Sequence, residues 1–373
     1  MPFDETSLPG GPHGLPCASN ALRLVFWETT AGCNLECVHC RRLEVSRELM
    51  RSDLTTDEAR RLIDQIAAAG RPVLVFSGGE PLLRPDIFEL AGHALGAGLP
   101  TALATNGTLI DAGLAGRIAA TGFDRVSVSL DGADEATHDR FRGLPGSFAR
   151  TMAGLRHLRA RGVPTQINCT IARHNRDQIT ALLQLAEREG AVAVHYFLLV
   201  PVGCGAQIAD EQMLDMDEVE ERLRLIDELA QATALQIKPT CAPHYYRVIR
   251  QQARRRGSGL QAVGRPGHPA GPLHSLTKGC LAGTAVCFVS HEGEVFPCGY
   301  LPISAGNVRR QDFGVIWREA ELFRELRDPD RLTGKCGACE FKHVCAGCRA
   351  RAFYQFGDYL AEEPYCAHQP RPG

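Results

Sequence analysis

Three cysteines within eight residues, Cys33, Cys37 and Cys40, are spaced C-x3-C-x2-C and form the first group in this sequence able to do chemistry. Three thiolates on so short an arc can wrap one face of a cubane iron–sulfur cluster and leave one iron without a protein ligand. Zinc would require a fourth Cys or His nearby; His39 is there, but on so short an arc it would strain a tetrahedral site. A second set lies far downstream. Eight of the fifteen cysteines fall between Cys280 and Cys366: Cys280, Cys287 and Cys298, then Cys336-x2-Cys339-x5-Cys345-x2-Cys348, and last Cys366. Paired CxxC motifs suit structural zinc as well as iron–sulfur ligation, so both remain open here. The number is odd and no basic, apolar signal segment opens the chain. Metal ligation in a reducing cytoplasm therefore fits better than a disulfide framework. Of the remaining cysteines, Cys17 lies in a Pro/Gly-rich start and Cys204 follows the sixth strand; Cys169 and Cys241 are read as small packing residues.

These groups need a scaffold, and the hydrophobic pattern supplies one. Strand signals at Leu22–Thr29, Pro72–Ser77, Thr101–Thr105, Arg125–Leu130, Gln166–Ile171 and Val192–Val200 alternate with helix signals. The helices are expected at Thr55–Ala69, with Thr55 as N-cap and Gly70 just past the end, near Asp86–Ala97, at Asp111–Ala120 and Gly146–Arg161, and near Asp177–Glu189. Six strands with intervening helices imply parallel βαβ units with right-handed crossovers. Their length suits an open (β/α)6 partial TIM barrel better than a closed eight-unit one. A further helix is expected over Met213–Thr233, and Gly257–His274 reads as a Gly/Pro-rich linker. The expected organisation is a tail over 1–21, the barrel over 22–210, a helix and linker over 211–275, and a small Cys-rich domain over 276–373.

The chain has 373 residues, 41 Lys+Arg against 43 Asp+Glu, 44% hydrophobic and 23% charged residues. That balance excludes a disordered chain, a collagen-like repeat and a bulk electrostatic nucleic-acid binder. No apolar run reaches the roughly 18 residues of a membrane helix. A cytoplasmic protein without nucleic-acid or membrane partners is expected.

The cysteine triplet after strand one is joined by Ser77-Gly78-Gly79-Glu80-Pro81 after strand two and Ser127-Val-Ser129-Leu-Asp-Gly132 after strand four. Adjacent glycines allow close backbone approach, and Glu80 offers an acceptor for an ammonium group. Together these segments resemble the radical S-adenosylmethionine (SAM) superfamily over roughly 22–205. The resemblance implies a [4Fe–4S] cluster on Cys33, Cys37 and Cys40 whose open iron is chelated by SAM. It places Gly78, Gly79 and Glu80 at the SAM amino group, Ser129 near the ribose, His39 near adenine, and Arg142 as a SAM contact. It also implies one-electron cleavage of SAM to a 5′-deoxyadenosyl radical, fed by a low-potential donor such as ferredoxin or flavodoxin, with the protein supplying orientation and a dry cavity.

The downstream set, with Gly293-x4-Cys298 embedded, resembles the SPASM (twitch-like) domain of radical-SAM maturases, which holds one or two auxiliary [4Fe–4S] clusters. Position by position, the resemblance implies Cys280, Cys287, Cys298 and Cys348 for an inner cluster and Cys336, Cys339, Cys345 and Cys366 for an outer one. The spacing Cys345-x2-Cys348 is one residue shorter than the usual pattern. Sulfatase-type maturases place an aspartate base directly after the inner-cluster cysteine; here Gly299 stands there.

Four stretches resemble instead the porphyrin-modifying branch that leads through sirohaem to haem and haem d1. They are Leu24-Val-Phe-Trp27-Glu28, Pro239-Thr-Cys-Ala-Pro-His244-Tyr-Tyr-Arg247, Lys278-Gly-Cys-Leu-Ala-Gly283 and Cys345-Ala-Gly-Cys-Arg349-Ala-Arg351. The run Cys40-Arg41-Arg42 is closest to the alternative haem synthases. That resemblance implies a tetrapyrrole substrate such as Fe-coproporphyrin III, with two propionates oxidatively decarboxylated to vinyls and an auxiliary cluster taking up an electron. Arg41, Arg42, His244, Tyr245, Tyr246 and Arg247 are the candidate propionate contacts, since guanidinium matches carboxylate bidentately. Didecarboxysirohaem deacetylation, haem d1 synthesis and peptide maturation are the competing readings. Peptide maturation would be helped by a leader-binding wing ahead of the barrel, for which about twenty residues leave little room.

Overall fold

The computed structural model describes residues 21–44, 46, 48–257 and 278–370. The expected tail, apart from Ala21, lies outside them, as do Cys17, the Gly/Pro-rich stretch beyond Gly257 and the boundary near Ser275.

All six expected strands form, in parallel and in sequence order: β1 (Leu24–Glu28), β2 (Val73–Ser77), β3 (Thr101–Thr105), β4 (Arg125–Ser129), β5 (Thr165–Ile171) and β6 (Ala193–Leu198). They are near-continuous apolar runs because a parallel sheet is buried on both faces; all of β2 except Ser77 is buried. The helices between them are α1 (Thr56–Ala69), α2 (Ile87–Gly96), α3 (Ala112–Thr121), α4 (Glu135–Arg142), α5 (Ser147–Ala160) and α6 (Ile179–Arg188). In α1 the stripe Ala59, Leu62, Ile63 and Ile66 is buried, and Thr55 with Glu58 closes a capping box at its start.

The sheet extends beyond the six. β7 (Gln236–Thr240) pairs with β6, and β8 (Val286–Val289) pairs in parallel with β1; β9 (Glu294–Phe296) and β10 (Gly306–Asn307) follow antiparallel. The C-terminal cysteine region is thus an extension of the barrel sheet. β7 carries Lys238 and Pro239, which hide its pattern; it is an edge strand, where proline is tolerated. The expected helix over Met213–Thr233 is Met216–Ala232, and a helix not anticipated, Tyr245–Arg255, follows β7.

Because eight strands run the same way, their C-terminal ends share one rim, the usual address of ligands in such sheets. On that rim the cysteine triplet follows β1, Gly78–Glu80 follows β2, Asn106 β3, Asp131 β4, Cys241 β7 and His291 β8.

Candidate active site and metal centres

The β1 loop brings Cys33, Cys37 and Cys40 together, each within electrostatic reach of the other two. Burial pushes the Cys33 thiol up to about 12. Such thiolates persist only against positive charge, so the donor set fits a cationic iron–sulfur core. The loop is seated by close backbone packing. A Cβ on Gly79 would lie 2.2 Å from the Gly32 carbonyl oxygen, and one on Gly78 2.7 Å from that of Thr30. The glycines therefore serve first to let the β2 turn press against the cysteine loop. Gly79→Ala is expected to displace that loop and lower bound iron by about four per chain, while the C-terminal clusters persist. Iron and sulfide analysis of anaerobically purified protein checks this.

Glu80 is fully buried, and its carboxylate accepts from the Asn106 amide (2.8 Å), Thr105 Oγ1 (2.8 Å) and the Leu82 amide (3.2 Å). Burial nevertheless pushes it up to about 7. Most of its acceptor capacity ties β2 to β3, leaving a residual valence for a cationic ligand. Ser129 is half-buried at the end of β4.

Asp131, two residues on, is the hub of the site. Its Oδ2 is 2.6 Å from Arg142 Nη2 and 3.3 Å from His39 Nε2, and its Oδ1 accepts from the Thr170 amide at 2.7 Å. Burial opposes the Asp131 charge, but Arg142, His39, His138 and the Thr170 amide together prevail and the carboxyl stays below its ordinary value. Arg142 also places Nη1 3.7 Å from Cys37 Sγ. His39 stacks flat on Phe141 at 4.1 Å, and Phe141 in turn on His174. One carboxylate thus orients both expected SAM contacts and ties one of them to a cysteine.

Beside Cys40, Arg41 and Arg42 converge on the buried Glu28 carboxylate, which also takes His291 Nδ1 at 2.9 Å. Burial raises Glu28, but Arg41, His291 and Arg42 prevail and hold it near 2. Two guanidinium groups against one carboxylate leave net positive charge. Arg41 lies over the Phe288 ring at 4.1 Å and borders Gly299. Tyr300 packs with Cys241, Cys298 and Cys348 and is near enough to Arg41 and Cys40 to feel their charge.

The outer set assembles as expected. Cys336, Cys339, Cys345 and Cys366 line one small cavity together with Arg247 and Lys335. Burial pushes Cys339 up to about 11. The inner set departs from expectation: Cys280, Cys298 and Cys348 come together, but Cys287 does not join them. Side chains alternate along a strand, and Cys287 with Val289 points from β8 into the main hydrophobic core, while Phe288 faces Arg41. The ionisable neighbour acting on Cys287 is Arg327. Cys241 lies beside Cys280, Cys298 and Cys348 instead.

Between the two sets runs a buried polar chain. Glu363 binds Arg351 (3.0 Å) and the Cys348 amide (2.6 Å), and its own amide points at Cys336 Sγ (3.2 Å). His244 is fully buried, and burial pulls it down to about 4, so it is neutral. Arg247 pairs with Glu220 at 2.5 Å and reaches Cys366 Sγ at 3.8 Å. Tyr245 and Tyr246 pack into the interior. Of the six expected propionate contacts, His244, Tyr245, Tyr246 and Arg247 are therefore withdrawn into the protein, because they start a helix packed against Met216–Ala232. Arg41 and Arg42 remain at the rim.

Residues 27–186 match the Radical SAM superfamily, and residues 280–349 match an iron–sulfur cluster-binding domain, SPASM. An AdoMet-dependent heme synthase of Methanosarcina barkeri is 51% identical over 94% of this chain and 98% of its own length. This chain belongs to the radical SAM superfamily. A second AdoMet-dependent heme synthase, from Nitratidesulfovibrio vulgaris, is 45% identical over 97% of this chain and 96% of its own. An Fe-coproporphyrin III synthase of Methanosarcina barkeri is 32% identical, covering 97% and 92%. Among solved structures, Streptococcus suis SuiB bound to its precursor peptide superposes with TM-score 0.72 at 16% identity, covering 93% of this chain and 76% of that one. AnSMEcpe with bound AdoMet gives 0.67 at 18%, covering 92% and 94%. These likenesses show the fold: the partial barrel with its C-terminal SPASM domain.

As a radical SAM enzyme the chain uses SAM and iron–sulfur clusters, and the rim suits both. Three converging thiols would hold a cluster with one iron left without a protein ligand, a buried carboxylate at Glu80 keeps acceptor capacity, and His39 and Phe141 stack close by. The radical SAM reading by motif found the triplet and Arg142 but not the hub Asp131, although the segment ending in Gly132 contains it. Glu28, His291 and Tyr300 were also missed; only the parallel pairing of β8 with β1 brings His291 to Glu28. Among the described residues no helix is long and apolar enough to cross a membrane.

Proposed function

We propose that this radical SAM enzyme is a haem synthase, converting two propionates of Fe-coproporphyrin III to vinyl groups by oxidative decarboxylation to give haem b. The observation that carries this reading is the half-buried cationic patch of Arg41 and Arg42 around Glu28, set directly after Cys40. The near-full-length relatives named heme synthases support it, and so does Gly299, which leaves the maturase base position without a carboxylate.

The bound cluster and SAM supply hydrogen-atom abstraction from an unactivated carbon. The chain's own residues do the rest. Arg41 and Arg42, with charge in excess of Glu28, hold a substrate carboxylate beside the triad. Asp131 orients Arg142 and His39 toward SAM, with Glu80 and Ser129 completing the cofactor contacts. Phe288 and Tyr300 line the side facing the C-terminal cysteines and exclude water. A cytoplasmic location and a ferredoxin- or flavodoxin-type donor complete the proposal.

Anaerobic turnover with Fe-coproporphyrin III, SAM and reductant, read by mass spectrometry, tests it. The expected product has lost carbon dioxide plus hydrogen from each of two propionates. Loss of whole acetate groups from didecarboxysirohaem, with Fe-coproporphyrin III left unchanged, would overturn it.

A further inference from the structure

We propose that Cys241, rather than Cys287, is the fourth thiolate of the inner cluster, closing a Cys241/Cys280/Cys298/Cys348 site. The inference rests on the reading of the C-terminal cysteines as iron–sulfur ligands, not on the identity of the substrate.

Five observations converge. Every pairing among these four thiols is close enough for mutual electrostatic effect. Cys241 packs with Cys298, Cys348 and Tyr300 in one small cluster. It is the first residue beyond β7, on the rim that carries the other metal-binding loops. Its backbone adopts φ 54°, a left-handed conformation that a non-glycine residue takes at a cost and that accumulates at functional loops. The neighbouring Pro243 packs against Gly279, where an added Cβ would lie 2.8 Å from the ring, which sets the Cys241 loop beside Cys280. Cys287, by contrast, is fully buried on the helix-facing side of β8.

The chemistry follows from ligand number. Three thiolates would leave an iron open to exchange, as at Cys33, Cys37 and Cys40. Four close the cluster, so the inner site offers no coordination position to SAM or substrate. The short Cys345-x2-Cys348 spacing is accommodated because positive φ at Ala346 and Gly347 turns the chain back between the two cysteines.

The test compares Cys241→Gly, Cys280→Ala and Cys287→Val in anaerobically purified full-length protein. Glycine suits the positive φ, so loss of metal there cannot be blamed on backbone strain; valine preserves packing in the core. Cys241→Gly and Cys280→Ala are each expected to lower iron and sulfide by about four per chain and to remove the same electron paramagnetic resonance signal. Cys287→Val is expected to keep wild-type iron and all signals. Wild-type iron and spectrum in Cys241→Gly, or loss of that signal in Cys287→Val alone, would overturn the assignment. Neither readout uses tetrapyrrole, so a wrong substrate leaves this result intact.

Discussion

Replacing Asp131 by alanine is expected to destabilise the protein by about 3–5 kcal/mol, the usual cost of leaving one member of a buried ion pair without its partner. Arg142 is buried, and with Asp131 gone its neighbour is Cys37, three residues from Cys40 in the same loop. His39 loses the carboxylate that faces its Nε2 at the same time. We therefore expect SAM affinity to fall at least about tenfold, equivalent to about 1.4 kcal/mol. Asp131→Asn keeps an acceptor for the Thr170 amide but not the charge, and should lose nearly as much. The sign with pH follows from the lowered Asp131: its contribution is present above the unfolded carboxylate range and lost as acid protonates it. Urea unfolding and equilibrium SAM binding check both parts; a variant matching wild type in each would remove Asp131 from its position as hub.

Glu363→Gln is expected to be comparably damaging, at about 3–5 kcal/mol, but at the other end of the molecule. Glu363 and Arg351 are each 1% exposed, and the carboxylate also holds the Cys348 amide while its own amide contacts Cys336. Burial raises Glu363, but the Arg351 guanidinium beside it, together with the hydrogen bonds from Arg351 and the Cys348 amide, helps hold it at about 2. Its stabilisation is thus full above about pH 4.3, the unfolded value, and disappears as pH falls toward 2. A glutamine leaves Arg351 charged and buried. The double variant Arg351→Met/Glu363→Leu removes both charges and should recover much of the loss, since burying neither ion avoids both desolvation costs. Denaturant midpoints of the three proteins decide this. A single variant as stable as wild type would mean that the pair contributes no net stability.

What the sequence by itself determined is local. Strict spacing identified the Cys33, Cys37 and Cys40 loop, because three thiols within one loop meet whatever the rest of the chain does. Apolar runs and helix caps located β1 to β6 and α1, since both depend on neighbours a few residues away. The outer cysteines Cys336, Cys339 and Cys345 share the same advantage. Tertiary structure alone decided the rest. Cys241 and Cys280 are far apart in the chain and meet only because β7 and the C-terminal segment close on the same rim. Cys287 fits the spacing of a ligand, but the pleat of β8 turns it into the core. Arg247 and Arg41 look alike as candidate carboxylate partners, yet one is committed to Glu220 by helix packing and the other stays at the rim. Asp131 lay in plain view within a recognised motif; its role depends on where the end of β4 meets α4, which spacing does not encode.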